Sequence, residues 1–570
     1  MVRTRISEED EKAIIIGIDF GTTLSGVSWA YSGQPDNIEV ISRWESKINL
    51  NSDKEKVPSS ILFRGKRGNT SWGYAIPNDG KQEPLKWFKL LLVDERDLPE
   101  NIQDSSQIAT ARRLAKSANK EPCIVSTVGD AMVKMCRFHV VITLPAIWPD
   151  YAKARMRRAA EDAGLLKPRP AGETSLSFIS EPEAAALATM KDLSKMPTAQ
   201  VGNHIVVCDA GGGTVDLITY EILSLDPFIV REAVQSDGDL CGGVFLDEAF
   251  VNMLQEKVTP QAWNNIPKDE VRKLLNDDWE HCIKPYFKNQ DDDWHINLPP
   301  ECRVPGTQQR GMKRKRHLIL DQEDLLKVFD PIVNQTISLV EKQIEAVMIK
   351  TESKPKQIIL VGGFGRCPYL RSRLKEEVGN SIEILEGHGA KPWTAICRGA
   401  TIHGLTRRNL APGLAVEIES RVSRMSYGTC CTMDYDPEEH KESERYWCED
   451  ELEWKGTNVS SADPVTKSYY RLWESVPSQV DRTIYSSEAW PPPKRLDHRV
   501  NELCTITWKK KMNFASLPSF TNPMGKVFAK ITYDVEMTCS GKSVDFTVVH
   551  DGKQVAAKNF EVVFKSEDDE

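Results

Sequence analysis

The spacing of apolar residues near the start of the chain predicts a buried strand that ends in a glycine turn. Ala13–Ile18 is a continuous apolar run rich in β-branched residues, which is typical of a strand buried on both faces. The turn Asp19-Phe-Gly-Thr-Thr follows it, and Leu24–Tyr31 then resumes strand character. The same order returns in His204–Cys208, Asp209-Ala-Gly-Gly-Gly-Thr and Val215–Ile222. Because both copies carry an acidic residue at the strand end, the repeat predicts two related lobes.

Apolar periodicity predicts further strands and helices around this repeat. Arg137–Leu144 is typical of a buried strand, and a helix is expected from Tyr151 to Ala163, ended by Gly164. Gln357–Val361 predicts another strand. Ala395–Gly404 predicts a helix, which we expect to close the second lobe.

The pattern changes after Arg408, where Ala411-Pro-Gly marks a candidate boundary. Beyond it the chain is rich in aromatic and β-branched residues, and Phe528–Cys539 alternates strongly between apolar and polar positions. Ser540-Gly541 and Asp551-Gly552 are typical hairpin turns. The predicted organisation is a disordered N-terminus over 1–11, a first lobe over 12–200, a second lobe over 201–407 and a β-rich domain over 412–570.

Composition and charge narrow the possible partners and locations. The net charge of -9 and the sequence pI of about 5.8 argue against non-specific nucleic-acid binding, which needs a basic surface. The apolar run Ala13–Ile18 is too short for a secretory signal, and the sequence contains no apolar stretch of membrane-spanning length. We therefore expect a cytoplasmic protein with neither a nucleic-acid nor a membrane partner. Lys313-Arg-Lys-Arg is either a solvated loop or a nuclear import signal, which leaves an additional nuclear location open.

The two glycine turns contain the groups that a nucleoside triphosphate requires. Glycines let backbone N–H groups approach phosphate oxygens, hydroxyls bond the same oxygens, and carboxylates hold hydrated magnesium. The first turn supplies Asp19, Gly21, Thr22 and Thr23. The second supplies Asp209, Gly211, Gly212, Gly213, Thr214 and Asp216. Two such loops facing each other would clamp a phosphate chain, so the expected ligands are ATP and Mg²⁺.

Several motifs together resemble the ATPase domain of the 70-kDa heat-shock chaperone family. They are Gly17–Ser25, Val141–Pro145, Glu181-Pro-Glu-Ala-Ala-Ala, Asp209–Asp216 and Leu360-Val-Gly-Gly-Phe-Gly-Arg-Cys-Pro, in the family's order. The resemblance covers about residues 12–407. The chain is similar to divergent members of the family that lack the standard substrate-binding half. It implies an α/β fold: a two-lobed, actin-like ATPase domain with duplicated ribonuclease-H-like lobes, followed by the β-rich C-terminal domain.

The resemblance also implies roles for the phosphate side of the site. Asp19 and Asp209 would position magnesium and its waters, and Glu181 would orient the attacking water or the metal shell. Lys89 matches the family's catalytic lysine, which would stabilise charge on the transferring phosphoryl group. Lys86 is a rival for that position, and a surface lysine on an amphipathic helix is the alternative for Lys89.

On the adenosine side, the resemblance implies contacts from two further glycine turns and an acid–base pair. Gly362, Gly363 and Arg366 would lie near the purine. Gly242, Gly243 and Asp247 match a second family turn, which would face the nucleotide. Glu280 and Lys284 would touch the ribose, but four residues separate them here, where the family usually has three. Both spacings keep the pair on one helix face, and an ordinary surface ion pair is the alternative.

Departures from the family pattern leave the function open between three interpretations. Trp393 and Thr394 stand where acidic residues are expected, and the acidic, leucine-rich linker is missing around 405–415. We expect an ATP-binding, slowly hydrolysing chaperone-like protein, hence a weak ATPase, with an unidentified protein partner or client at the C-terminal domain. The alternatives are a non-hydrolysing nucleotide-binding scaffold and a small-molecule kinase of the same superfamily.

Overall fold

The computed structural model of the chain divides it into two compact units, Met1–Val422 and Ser423–Glu570. The residues that the structure describes are 13–44, 46, 54–64, 69–77, 83–98, 103, 105–118, 136–146, 148, 150–193, 199–258, 260–299, 317–386, 392–408, 410–411, 416–419, 422, 426–434, 446–448, 453–461, 466–474, 480–487, 493, 495–508, 517–540, 543–550 and 553–561. The predicted disordered N-terminus over 1–11 and the basic run Lys313–Arg316 lie outside them.

The first unit contains two large sheets with the same topology. The first sheet is formed, in spatial order, by β3 (Glu39–Val40), β2 (Leu24–Tyr31), β1 (Ala13–Phe20), β8 (Arg137–Leu144) and β9 (Ser175–Ser180), with β4 (Lys56–Pro58) paired to β2. The second is formed by β16 (Glu383–Glu386), β15 (Gln357–Val361), β10 (His204–Ala210), β11 (Val215–Leu225), β12 (Phe228–Asp239) and β17 (Val416–Ile418).

Each sheet has a central strand that pairs antiparallel with the next strand and parallel with a later one. β1 pairs in this way with β2 and β8, and β10 pairs with β11 and β15. Both central strands are buried along their whole length, as their apolar runs predicted. The shared topology confirms the predicted repeat and the α/β fold class.

The remaining elements of the first unit are two small sheets and the helices. The small sheets contain β5 (Ser60–Arg64), β6 (Asn69–Trp72) and β7 (Leu85–Lys86), and β13 (Trp294–Asn297) with β14 (His317–Leu320). The α-helices are α1 (Ser106–Ala118), α2 (Asp150–Asp162), α3 (Glu181–Leu193), α4 (Val244–Val258), α5 (Pro260–Asn264), α6 (Lys268–Leu274), α7 (Gln322–Thr351), α8 (Pro368–Val378) and α9 (Ala395–Arg407). Short 3₁₀ helices cover Gly73–Ala75, Phe88–Leu92, Glu95–Asp97, Phe364–Arg366 and Gly379–Ser381, and a π-helix covers Leu275–Ile283.

Helices α3 and α9 pack against each other within one apolar cluster that also includes residues of β10, β11 and β15. The apolar pattern of Ala395–Gly404 predicted a helix that closes the second lobe. In the structure α9 packs on the first sheet, because Leu405 is buried together with Ala13 and Ile15 of β1. The hydroxyl of Ser28 in β2 also donates a hydrogen bond of 2.8 Å to the carbonyl of Cys397.

The second sheet continues past the composition change at Arg408. β17 pairs in parallel with β12, with Val416 opposite Phe228. The backbone N–H of Val422 then donates to the Glu232 carboxylate at 2.9 Å. The first compact unit therefore ends at Val422, later than the domain start at 412 that the composition suggested.

The second unit is a sandwich of two mainly antiparallel sheets, and it confirms the predicted β-rich C-terminal region. One sheet has the order β19 (Tyr446–Cys448), β20 (Glu453–Ser461), β18 (Ser426–Asp434), β22 (Val480–Ser487) and β23 (Asn501–Trp508). The other has the order β21 (Thr466–Trp473), β25 (Val527–Ser540), β26 (Ser543–His550) and β27 (Lys553–Glu561), with β24 (Ser519–Thr521) on β25. Both sheets contribute to one core, in which Tyr427 packs edge-on against Phe546.

Within the described part of the chain, no helix combines the length and the apolar character needed to cross a membrane.

Candidate functional site

A large cleft in the first unit contains most of the predicted site residues. Its volume is about 980 Å³, within the size range of small-molecule sites. The predicted residues that line it are Asp19, Gly21, Thr22, Thr23, Lys89, Glu181, Asp209, Gly211, Gly212, Gly213, Thr214, Gly243, Glu280, Lys284, Gly362 and Gly363. Residues that are distant along the sequence thus come together around a single cavity.

The two glycine–threonine turns meet in the lining of this cleft. A Cβ atom on Gly212 would lie 2.1 Å from the Thr23 hydroxyl oxygen, and one on Gly213 would lie 2.7 Å from that of Thr22. Any larger residue at either glycine would collide with the opposite turn. The approach brings hydroxyls from the first turn beside backbone from the second, which is the arrangement that a phosphate chain requires.

Three buried carboxylates line the cleft beside these turns. Asp19 is in β1 and Asp209 is in β10, and each has only 2% of its surface exposed. Glu181 begins α3 directly after β9 and is 6% exposed. The Oδ1 atom of Asp209 is buried without a hydrogen-bond partner. An orphaned buried oxygen of this kind is costly unless a donor or a cation is bound there.

Burial and mutual repulsion raise the pKa of two of these carboxyl groups. Burial raises the pKa of Glu181 to about 7, against the opposing effect of Lys89, and the charges of Asp216 and Asp19 raise it further. Burial also raises the pKa of Asp209 well above its usual value, and Glu181 and Asp216 add to that shift. A cation bound beside them would therefore stabilise the ionised forms of both carboxyl groups.

The structure distinguishes between the two candidate lysines. Lys89 is 2% exposed, and its Nζ lies 2.5 Å from Glu181 Oε1 and 5.2 Å from the centre of the Trp148 ring. Lys86 lines the same cleft but is exposed. Lys89 is thus the lysine held in a fixed position against the carboxylate cluster.

A third lysine, Lys56, was missed by the sequence analysis. It lies in β4, is 7% exposed, and its Nζ is 2.5 Å from Asp19 Oδ2. Burial lowers the pKa of Lys56, but the charge and hydrogen bond of Asp19 outweigh that effect and the net shift is upward. β4 is only three residues long and belongs to no recognisable motif, so the sequence offered no signal for this lysine.

Glu280 and Lys284, which also line the cleft, form the expected acid–base pair. Lys284 donates to Glu280 at 3.0 Å and to Asp247 at 2.7 Å. Asp247 also accepts from the Trp279 indole N–H at 2.7 Å. Glu280 lies in the π-helix Leu275–Ile283. A π-helix has i→i+5 hydrogen bonds and accommodates one extra residue per turn, which keeps the four-residue spacing in register.

The two remaining glycine turns contact the second glycine–threonine turn and the end of β10. The Gly242 N–H donates to the Gly213 carbonyl at 3.2 Å, and the Gly243 N–H donates to the Gly211 carbonyl at 3.1 Å. Gly362 has φ of +84°, and a Cβ there would lie 2.3 Å from the Ala210 carbonyl oxygen. This position therefore requires glycine.

Arg366 lies beside the cleft, against an aromatic ring. Its guanidinium is 5.1 Å from the centre of the Trp393 ring, and Lys56 Nζ is 5.9 Å from the same ring. The indole Nε1 of Trp393 is buried without a hydrogen-bond partner. Trp393, one of the two residues that depart from the family pattern, thus lies beside both cations at this edge.

Comparison with known proteins agrees with this geometry. The family model described as Hsp70 protein matches residues 124–409, which is half of the chain. The chain is 25% identical to heat shock 70 kDa protein 12A of Homo sapiens, over 85% of this chain and 83% of the relative. It is 23% identical to heat shock 70 kDa protein 12B of Homo sapiens, over 82% of this chain and 79% of the relative. It is 28% identical to chaperone protein DnaK of Thermoplasma volcanium, over 68% of this chain and 58% of the relative.

The extent of these matches differs in an informative way. The first compact unit holds 422 of the 570 residues. A match over 85% of the chain, as with protein 12A, therefore extends into the second unit, whereas the DnaK match is short enough to fit within the first.

Proposed function

Since the chain belongs to the Hsp70 family, we propose that it binds ATP in the cleft of its first unit and hydrolyses it slowly. The family's nucleotide-binding domain supports an ATP-binding, chaperone-like function. The observation that carries the proposal is the meeting of the two glycine–threonine turns, Thr22 with Gly213 and Thr23 with Gly212. Backbone and hydroxyl donors there would surround the β- and γ-phosphates.

The carboxylates beside these turns fit a hydrated magnesium ion. Asp209 Oδ1 is buried without a partner, and carboxylate oxygens are the ligands that magnesium prefers. The described residues contain no group of three or more His, Cys, Asp or Glu side chains that could hold a metal directly. Asp19 and Asp209 would therefore hold the ion through its water shell. When bound, the ion would supply positive charge to the phosphate oxygens.

For hydrolysis, a water oxygen bonds to the γ-phosphorus while the bond to the β–γ bridging oxygen breaks. The products are ADP, inorganic phosphate and a proton. Lys89 would stabilise the charge on the transferring group, and Glu181 would orient the water. Support for these roles comes from their 2.5 Å ion pair in the wall of the cleft.

We further propose that the second unit carries the contact with a protein partner or client. Hsp70 proteins bind client proteins in general, and the match to protein 12A extends into this unit. The cytoplasmic location expected from the sequence, with or without a nuclear pool, stays a prediction.

The test is ATP binding together with single-turnover hydrolysis, both measured in the presence of magnesium. Wild type should bind and slowly hydrolyse ATP. Asp209→Asn should lower the hydrolysis rate by about a hundredfold, the typical effect of removing one electrostatic group from an active site. Asp330→Asn serves as the control. The Asp330 carboxylate accepts hydrogen bonds from Tyr369 and Arg373 and does not line the described cleft.

Three other outcomes would change the conclusion. Tight ATP binding without turnover would make the protein a nucleotide-binding scaffold. Phosphoryl transfer to a small-molecule acceptor would make it a kinase. If wild type binds no ATP, the proposed function is wrong.

A further inference from the structure

The buried charges of the cleft do not balance. Among its described residues, three carboxylates are buried, Asp19, Asp209 and Glu181, against two lysines, Lys56 and Lys89. Each lysine is 2.5 Å from one carboxylate: Lys89 neutralises Glu181, and Lys56 neutralises Asp19. The Asp209 carboxylate is left with a buried oxygen that has no partner.

Lys56 is held in place by its surroundings. Its strand β4 pairs with β2, with Lys56 opposite Gly26. A Cβ on Gly26 would lie 3.2 Å from Lys56 Cγ, so the absent side chain leaves room for the lysine stem. At its far end the ammonium lies 5.9 Å from the centre of the Trp393 ring, and the Arg366 guanidinium lies 5.1 Å from the same ring centre. Because neighbours hold both its stem and its ammonium, the Lys56 side chain has a fixed position in the wall of the cleft.

From these observations we propose that Lys56 is a resident counterion, which satisfies Asp19 and attracts nucleotide phosphates, so that ATP binding depends only weakly on a divalent cation. The inference rests on the proposed ATP site. Lys56 lines the same cleft as Thr22 and Gly212, so its positive charge is available to phosphates that enter there. Because Asp19 is already paired, magnesium has to compete with the ammonium for that carboxylate.

Counting the charges around the phosphates shows how removal of Lys56 should change ATP binding and magnesium binding. With Lys56 present and magnesium absent, the ammonium pairs with Asp19, and Asp209 is the one unpaired aspartate that the phosphates meet. With Lys56 removed, they meet two unpaired aspartates, and ATP should be repelled unless a divalent cation is supplied. The same removal leaves Asp19 free for magnesium, so less magnesium should be needed to reach half-maximal ATP binding.

The experiment measures ATP affinity of the full chain by calorimetry, with excess magnesium and with EDTA. Wild type should lose no more than about tenfold in affinity when magnesium is removed. Lys56→Met should increase this loss by about ten- to a hundredfold, which corresponds to one charge-assisted hydrogen bond. Lys56→Arg should resemble wild type. Lys54→Met is the matched control, because Lys54 is exposed and lies two residues away.

A second readout is the magnesium concentration for half-maximal ATP binding, which should fall in Lys56→Met and stay unchanged in Lys54→Met. If Lys56→Met does not fold, as judged by its thermal unfolding curve, the loss of ATP affinity of wild type in EDTA still tests the proposal. A loss of more than about a hundredfold in EDTA would mean that no resident charge compensates for the ion.

The failures of the two proposals are distinguishable. If wild type binds ATP only with magnesium and Lys56→Met shows the same dependence, Lys56 is a structural ion-pair partner and this inference is overturned, while the ATP site stands. If wild type binds no ATP under either condition, the proposed function falls and this inference falls with it.

Discussion

The Nζ atom of Lys89 lies 2.5 Å from Oε1 of Glu181, and this buried ion pair joins the 3₁₀ helix Phe88–Leu92 to the first turn of α3. Both side chains are more than nine-tenths buried. Each partner depends on the other, because removing one leaves an uncompensated charge in a site shielded from water. Substitution of either residue should therefore affect both ATP hydrolysis and the stability of the fold.

The first prediction concerns hydrolysis. Lys89→Met should reduce single-turnover ATP hydrolysis by about a hundredfold, because it removes a positive charge directed at the transferring phosphoryl group. ATP affinity should change by no more than about tenfold, since the glycine–threonine turns remain. Lys86→Met is the matched control, three residues away and exposed, and should keep the wild-type rate. Equal losses in both variants would show that Lys89 has no special role.

The second prediction concerns the pH dependence of stability without nucleotide or magnesium. The folded-state pKa of Glu181 is about 7, above its ordinary value of 4.5, so the folded protein binds the proton more tightly than the unfolded chain. The contribution of Glu181 to the free energy of unfolding is fully present below about pH 4.5 and is lost as the pH rises towards 7. The raised pKa of Asp209 acts in the same direction. The urea midpoint of wild type should therefore fall across this window.

Lys89→Met should extend that fall above pH 7. The variant lacks the charge that lowers the pKa of Glu181, so the folded-state pKa moves upward. Above pH 7 the free energy of unfolding should then decrease by up to roughly 1.4 kcal/mol per pH unit more than in wild type. Parallel pH profiles for the two proteins would contradict this coupling, and Lys86→Met should follow wild type.

Much of the site could be predicted because its residues lie in local motifs. Asp19 and Asp209 each end an apolar strand before a glycine turn, and this pattern is visible within ten residues of sequence. Lys56 gave no such signal, because only the pairing of β4 with β2 brings it to Asp19. The position of α9 was also missed, since a short helix of small apolar residues fits either lobe until its neighbours are known.

The third prediction compares two adjacent glycines at the edge of the cleft. Gly362→Ala should destabilise the protein by about 2–4 kcal/mol, because φ is +84° and the new Cβ would meet the Ala210 carbonyl oxygen at 2.3 Å. Gly363→Ala should change stability by less than about 1 kcal/mol, since φ is −68° and no atom lies within 4 Å of the new Cβ. Urea unfolding of both variants is the measurement. Similar losses in both would show that the backbone at Gly362 relaxes freely.

The last prediction concerns where the first unit ends. Truncation after Val422 should leave a folded fragment that binds ATP, because the cleft and the apolar clusters around it lie within this unit. Truncation after Ala411 removes β17, uncovers the edge of β12 and loses the buried side chain of Val416, which is 6% exposed.

The shorter fragment should therefore be less stable by about 2–3 kcal/mol, the usual contribution of one buried aliphatic side chain with its strand pairing. The measurement is the urea midpoint of each fragment, with ATP affinity as a check that both retain the site. Equal midpoints would mean that the segment 412–422 adds nothing to the first unit, and the composition change at Arg408 would then mark its functional end.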